Sequence, residues 1–149
     1  MKIKHVNAKS IRNLRHLVLR TGQSFSTTSY DKDHEKDTFH LGYIKEKKIV
    51  VCTTFYPEPT KEIESLNSFR LRGMATHPDE RRQGFGKCVM QTAFKELYAK
   101  GCDLLWCNAR LIAVDFYKSI GFKTKGKLFD IADIGPHYYM YRYITKEDN

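Results

Sequence analysis

"LRGMATHPDERRQGFGKCVM", residues 71–90, changes rhythm halfway along. Up to Thr76 it continues "SFRLRGMAT", in which Phe69 and Leu71 alternate with Arg70 and Arg72, and this alternation predicts a strand. Gly73 interrupts it, and a glycine inside a strand marks a bulge or a place where a ligand or another backbone comes close. From Gly86 onward Val89, Met90, Ala93, Phe94, Leu97 and Tyr98 form one stripe of a helix, which Gly101 is placed to end. A strand, a glycine-bearing turn and a helix leave first-turn amides without partners at a helix N-terminus, where the macrodipole adds positive potential. Arg81, Arg82 and Lys87 add charge to that anion site. A plain strand-turn-helix corner would also need the glycines, for conformation alone.

Working outward, residues 2–6 predict a short first strand, and Ser10 stands as N-cap of a helix carrying Ile11, Leu14, Leu17 and Val18 that stops at Thr21-Gly22. Residues 23–38 are polar and aperiodic, which predicts a loop or short irregular helix with Asp31, Asp33, Glu35 and Asp37 on a solvated face. "FHLGYI" and "IVVCTTFY", separated by "KEKK", predict an antiparallel hairpin ended by Pro57 and Pro59. "CDLLWCNA" is apolar enough for burial on both faces, hence a parallel or central strand. A second helix carries Ile112, Ala113, Phe116, Tyr117 and Ile120 in one stripe, and two last strands flank a Gly135-Pro136 turn. The order predicts an α/β fold, a mixed sheet with helices on its faces.

A length of 149 residues suits one domain, residues 1–149, with a core of its own. No segment approaches the roughly 18 uninterrupted apolar residues that a bilayer span needs, so no membrane partner is expected. The N-terminus has no continuous apolar region before a small-residue cleavage site, and the expected address is cytoplasmic. Cys52, Cys88, Cys102 and Cys107 show no CxxC spacing and the six histidines are dispersed, so no metal is expected and the thiols read as small buried hydrophobes. The formal charge of +9 favours anionic partners without choosing among nucleic acid, a phosphorylated cofactor and an acidic substrate.

The glycine loop narrows the choice. "GFGKC" lacks the wider glycine spacing and the Lys-Ser/Thr pair of a Walker loop, and the dinucleotide fingerprint needs a glycine where Val89 stands. The RNP1 strand of RNA-recognition domains shares "GFG", but the residues after Gly86 have helical period, so nucleic acid is not the expected partner. The run from Arg81 through Arg82, Gln83, Gly84 and Phe85 to Gly86, preceded by "MATHP", fits Arg-x-x-Gly-x-Gly and resembles the acetyl-CoA-binding motif of the GNAT (GCN5-related N-acetyltransferase) superfamily. "NARLIAVDFYKSIGF", residues 108–122, is similar to that family's second signature, in the expected order and spacing. Arg82 stands where glycine is frequent and Thr76 where an aliphatic residue is usual.

The resemblance implies a mostly antiparallel sheet of six to seven strands with splayed central strands, and direct transfer of an acetyl group from acetyl-CoA to an amine. It implies that the backbone of Met74, Ala75 and Thr76 pairs with the pantetheine arm as an added strand, and that an amide near Ala75 polarises the thioester carbonyl. The amides from Arg82 to Lys87 would hold the pyrophosphate, Asn108 would contact the cofactor arm, and Tyr117 would protonate the departing thiolate. Because a free alkylamine with pKa ~10 is mostly charged at neutral pH, a base is needed, and His137 in "IGPHYYM" is the candidate. A small-molecule amine is the expected acceptor; the resemblance implies a pocket built from the first helix, the loop after it and the last strands, where tyrosines would shape it and Asp31, Asp33, Glu35 and Asp37 would either attract a cation or, as read above, face solvent. Alternatives are a protein lysine or N-terminus, or a non-catalytic module binding acyl-CoA or nucleic acid; a homodimer is compatible with the chain.

Overall fold

The computed structural model describes residues 2–149. Strands β1 (Ile3–His5), β2 (Phe39–Lys45), β3 (Lys48–Pro57), β4 (Ser68–Thr76), β5 (Leu104–Arg110), β6 (Lys123–Ile131) and β7 (Gly135–Tyr143) form one sheet in the order β1-β2-β3-β4-β5-β7-β6. All neighbours are antiparallel except β4 and β5. Helix α1 (Ala8–Leu19) packs on β3 and β4 over a small cluster of Ile11, Leu14, Cys52 and Ala75. Helices α2 (Phe85–Ala99) and α3 (Val114–Ser119) cover the main core, into which Val89, Met90, Ala93, Phe94 and Leu97 project as the stripe predicts.

Two irregularities in β4 shape the molecule. The parallel pairing with β5 runs through Ser68↔Leu104, Phe69↔Leu105 and Arg70↔Trp106 and then stops, so the strands splay and residues 71–76 lose their neighbour on that side. On the other side, Cys52 pairs with Ala75 but Thr54 pairs with Arg72, so Gly73 and Met74 together face Thr53. This is the bulge that Gly73 announces; its φ of +68° is the left-handed conformation that glycine adopts without penalty. The extra residue switches faces: Arg72 projects to the α1 side, Met74 packs against the main core, and Ala75 returns to the α1 side.

Several local expectations are corrected. Asn7, not Ser10, caps α1, its Oδ1 accepting the Ser10 amide at 2.9 Å. The last hairpin turns at residues 132–134, with Asp133 at φ +65°, whereas Gly135 and Pro136 already belong to β7; a proline is tolerated at a strand's start. A 3-10 turn, Leu111–Ala113, precedes α3, which rotates Ile112 off the stripe and leaves it 90 % exposed. Cys52, Cys102 and Cys107 are buried, burial pushing their thiols up to about 12, 11 and 12, but Cys88 sits beside the stripe rather than on it and is exposed. Among the described residues, no helix is long and apolar enough to cross a membrane, and no three or more His, Cys, Asp or Glu side chains gather as a metal-binding group.

Candidate active site

A cleft of about 760 Å³ opens where β4 and β5 part. Its β4 wall is the unpaired edge of Met74, Ala75 and Thr76. The His77 amide donates across β3 to the Val50 carbonyl at 2.8 Å. Because backbone groups alternate along a strand, those of Thr76 point the other way, into the cleft, and the Thr76 carbonyl there accepts from Arg81 Nε at 3.4 Å. His77 itself stays out of this chemistry, its Nδ1 accepting the Asp79 amide at 3.1 Å to cap the turn.

The far end of the wall is the start of α2. Gly84 is its N-cap at φ +81° and offers no side chain to the first turn, so the amides of Phe85, Gly86 and Lys87 are left for an external acceptor. Arg81, Arg82 and Lys87 line the cleft here, while Gln83 does not, its amide donating instead to Glu80 at 3.2 Å. The ring of Phe85 turns away and stacks on Tyr43 at 4.3 Å. A Cβ on Gly86 would come within 3.3 Å of Met74 Cε and 3.5 Å of Phe116, so the glycine keeps the cradle open. These features suit the pyrophosphate and pantetheine of a CoA ester: unpaired strand groups, free helix amides and flanking cations along one groove.

Arg82 departs from the usual glycine at a cost. Its φ of +62° is left-handed, a conformation worth about 1–2 kcal/mol of strain for a residue with a Cβ. Arg82→Gly is expected to hold or raise the denaturation midpoint while weakening acetyl-CoA binding severalfold; urea titration and calorimetry on the same variant separate the two effects.

Tyr117 and His137 face the same cleft from α3 and β7. Tyr117 is 4 % exposed, with its ring against Phe116 and Phe122 at 5.3 and 5.2 Å. Burial, with a smaller contribution from Cys107, pushes its phenol well above 10, so the group keeps its proton. His137 is also buried, stacked on Phe129, and its Nδ1 lies 2.7 Å from the Gly135 carbonyl. A carbonyl can only accept, so Nδ1 is the donor in this hydrogen bond, which selects the tautomer whose lone pair is on Nε2. Asn108 on β5, paired with Tyr139 of β7, also lines the cleft.

The loop of residues 23–38 overturns an expectation. Asp33 is not on a solvated face: its side chain is 1 % exposed and forms a two-pronged ion pair with Arg15, which is 0 % exposed, at 2.7 and 2.9 Å. Arg15 also donates to the Thr28 carbonyl and to Thr54 Oγ1, and His40 bridges Thr54 to the Asp33 carbonyl. Tyr30 lies over this network with Arg15 at 3.9 Å and Arg72 at 4.2 Å from its ring centre, and a Cβ on Gly73 would come within 2.9 Å of it. Tyr30, Arg20, Arg72 and Arg110 line the cleft beside the bulge. The tyrosine belongs to the loop that the sequence offers for an acceptor pocket, whereas the three arginines were not legible as site residues. The signal that existed was an arginine inside the apolar stripe of α1, one residue after Leu14.

Residues 36–124 match the family model of the acetyltransferase (GNAT) domain. The uncharacterised N-acetyltransferase YitI of Bacillus subtilis (strain 168) is 32 % identical over 142 residues, 95 % of each chain. Among solved structures, an aminoglycoside 6'-N-acetyltransferase complexed with coenzyme A superimposes with a TM-score of 0.78 at 13 % identity, covering 97 % of this chain and 98 % of that one. The ribosomal-protein-S18-alanine N-acetyltransferase of Escherichia coli does so with a TM-score of 0.71 at 17 % identity, covering 96 % and 93 %. At such identities the superpositions speak for the fold, whereas the family match and the sequence relative speak for kinship, and together they place the chain in the GNAT superfamily, as an N-acetyltransferase whose co-substrate is acetyl-CoA.

Proposed function

We propose that this enzyme transfers the acetyl group directly to the primary amine of a small molecule, both substrates being held in the cleft at once. The observation that carries the reading is the meeting, in one cleft, of an unpaired bulged strand, an uncapped helix N-terminus, a protonated phenol and an imidazole with a free lone pair. Bound there, acetyl-CoA supplies an activated thioester. The edge of β4 aligns the pantetheine arm, the amides of residues 82–87 and their cations hold the pyrophosphate, and Asn108 steadies the arm from β5. The Thr76 amide, directed into the cleft, donates to the thioester oxygen as negative charge develops on it. Nε2 of His137 takes a proton from the ammonium, and the neutral amine attacks the carbonyl carbon to form the N–C bond. As the C–S bond breaks, Tyr117 gives its proton to the departing sulfur, and the phenolate takes the second proton of the nitrogen, which restores the phenol and leaves the neutral amide. The burial of Arg20, Tyr30 and His137 around the acceptor end favours a small acceptor over a peptide, which would need an open groove.

Calorimetry with acetyl-CoA, followed by a thiol-release assay across an amine panel, tests the reading. Acceptor-dependent release of CoA is expected; binding without release would assign the chain to non-catalytic acyl-CoA binding, and salt-sensitive nucleic-acid binding without CoA affinity would overturn the proposal. His137→Gln is expected to lower kcat by about 100-fold below the pKa of the acceptor amine and by little above it, where the amine is already neutral. An unchanged turnover and pH profile would remove His137 from the mechanism.

A further inference from the structure

The acceptor end of the cleft carries positive charge that no carboxylate among the described residues neutralises. Arg20 is 9 % exposed, Arg72 and Arg110 are half-buried, and none of the three makes an ion pair. Their partners are an aromatic face and one carbonyl: Tyr30 has the Arg72 and Arg20 guanidiniums 4.2 and 5.8 Å from its ring centre, and both Arg20 and Arg110 donate to the Leu19 carbonyl. Leu19 ends α1, and a helix C-terminus contributes roughly half a negative charge, too little against these cations. Burial first, and then the charge of Arg20, holds the Arg110 guanidinium below its ordinary value, as expected of like charges crowded together.

The buried and half-buried carboxylates around the bulge are committed elsewhere, and Asp31 and Asp133, which make no ion pair, are exposed and do not line the cleft. Asp33 is taken by Arg15 and Glu58 by Lys32 and Arg70. Glu80 is the one carboxylate among the described residues lining the cleft; it lies at the cofactor end and is held by Lys45 at 2.8 Å. A desolvated cation without a counter-charge is costly, and a site that keeps several of them waits for an anion.

We propose that the acceptor is a small primary amine bearing its own anionic group, a carboxylate or a phosphate, which Arg20, Arg72 and Arg110 bind beside the bulge. This rests on the acetyltransferase reading above and names the substrate class for it. The placement is close to the chemistry, because Tyr30, which Arg72 covers, lies against Gly73 of the bulge, so the anion sits only a few bonds from the nucleophilic nitrogen. The same arginines make an ammonium ion unwelcome and so favour the neutral amine that attacks. Polycationic amines such as aminoglycosides meet repulsion here, although the fold resembles enzymes named for them.

The test is a panel in the thiol-release assay: amino acids and aminoalkyl phosphates, the matched amides and uncharged alcohols, spermidine, an aminoglycoside, and peptides with blocked C-termini. Anionic amines are expected to exceed their uncharged counterparts in kcat/KM by about ten- to a hundredfold, the range for charge-assisted hydrogen bonds. The two anionic arms tell carboxylate from phosphate. Arg72→Gln and Arg20→Gln should each erase most of that advantage while calorimetry shows unchanged acetyl-CoA affinity. Turnover that favours spermidine, the aminoglycoside or the blocked peptides, or equal turnover of acid and amide, would overturn this proposal and leave the acetyltransferase reading standing. Absence of acetyl-CoA binding would remove both.

Discussion

Asp33→Ala is expected to destabilise the protein by about 3–5 kcal/mol at pH 7, the usual cost of stranding one member of a buried ion pair. The pair is sealed: neither side chain reaches solvent appreciably, and Arg15 directs two of its hydrogen bonds to Asp33. Arg15 has no slack to absorb the loss, because its Nε is already buried without a partner. The variant would leave a guanidinium in the low-dielectric space between α1 and β4, and would also free the Tyr30 amide that Asp33 accepts at 3.0 Å. Asp33→Asn, which keeps the shape but not the charge, should lose less.

The acid dependence of this loss has a fixed sign. Burial pushes the Asp33 carboxyl up, but the hydrogen bonds from Arg15 and the Tyr30 amide and the Arg15 charge outweigh it and hold the group below its ordinary 3.8. A depressed folded-state pKa gives stability that is fully present above the unfolded value and is lost as the pH falls through the folded one. Urea titrations of wild type and Asp33→Ala should therefore differ most from about pH 5 upward and converge in acid. A gap that stayed constant down to about pH 2 would mean that Asp33 acts by packing rather than by charge.

The order of strands and helices along the chain, the bulge and the α2 stripe were legible because each is set by local pattern: alternation with an interposed glycine, then a period of about 3.6. The contacts that join the loop of residues 23–38 to the cleft were not. Tyr30 and Asp33 sit in a polar, aperiodic stretch, and what buries them is Arg15, which reaches them from another element. No pattern along residues 23–38 distinguishes a carboxylate that meets an arginine in space from one that meets water. Likewise Arg72 and Arg110 are ordinary outward residues of their strands until the splay of β4 from β5 turns that surface into a cleft wall. A motif names the donor because its backbone binds a fixed group, whereas the acceptor site is assembled from side chains far apart in sequence.

Tyr117→Phe is expected to lower kcat by about 100-fold or more with acetyl-CoA affinity unchanged. The substitution removes one oxygen and keeps the ring between Phe116 and Phe122, so the core is spared. A phenol raised well above 10 by burial stays protonated throughout the working range and produces no alkaline limb of its own. Such a phenol is a weaker acid than an ordinary thiol of pKa ~8.5, so the proton would move uphill in water. In the cleft the balance shifts, because the burial that disfavours the phenolate disfavours the departing thiolate as well and raises its proton affinity. The demand for the acid then depends on the leaving group. With an acetyl donor whose thiol is far more acidic, such as an aryl thioester, the penalty of Tyr117→Phe should shrink towards unity, since that thiolate departs without help. Equal losses with both donors would assign Tyr117 to shaping the cleft and require another source for the proton.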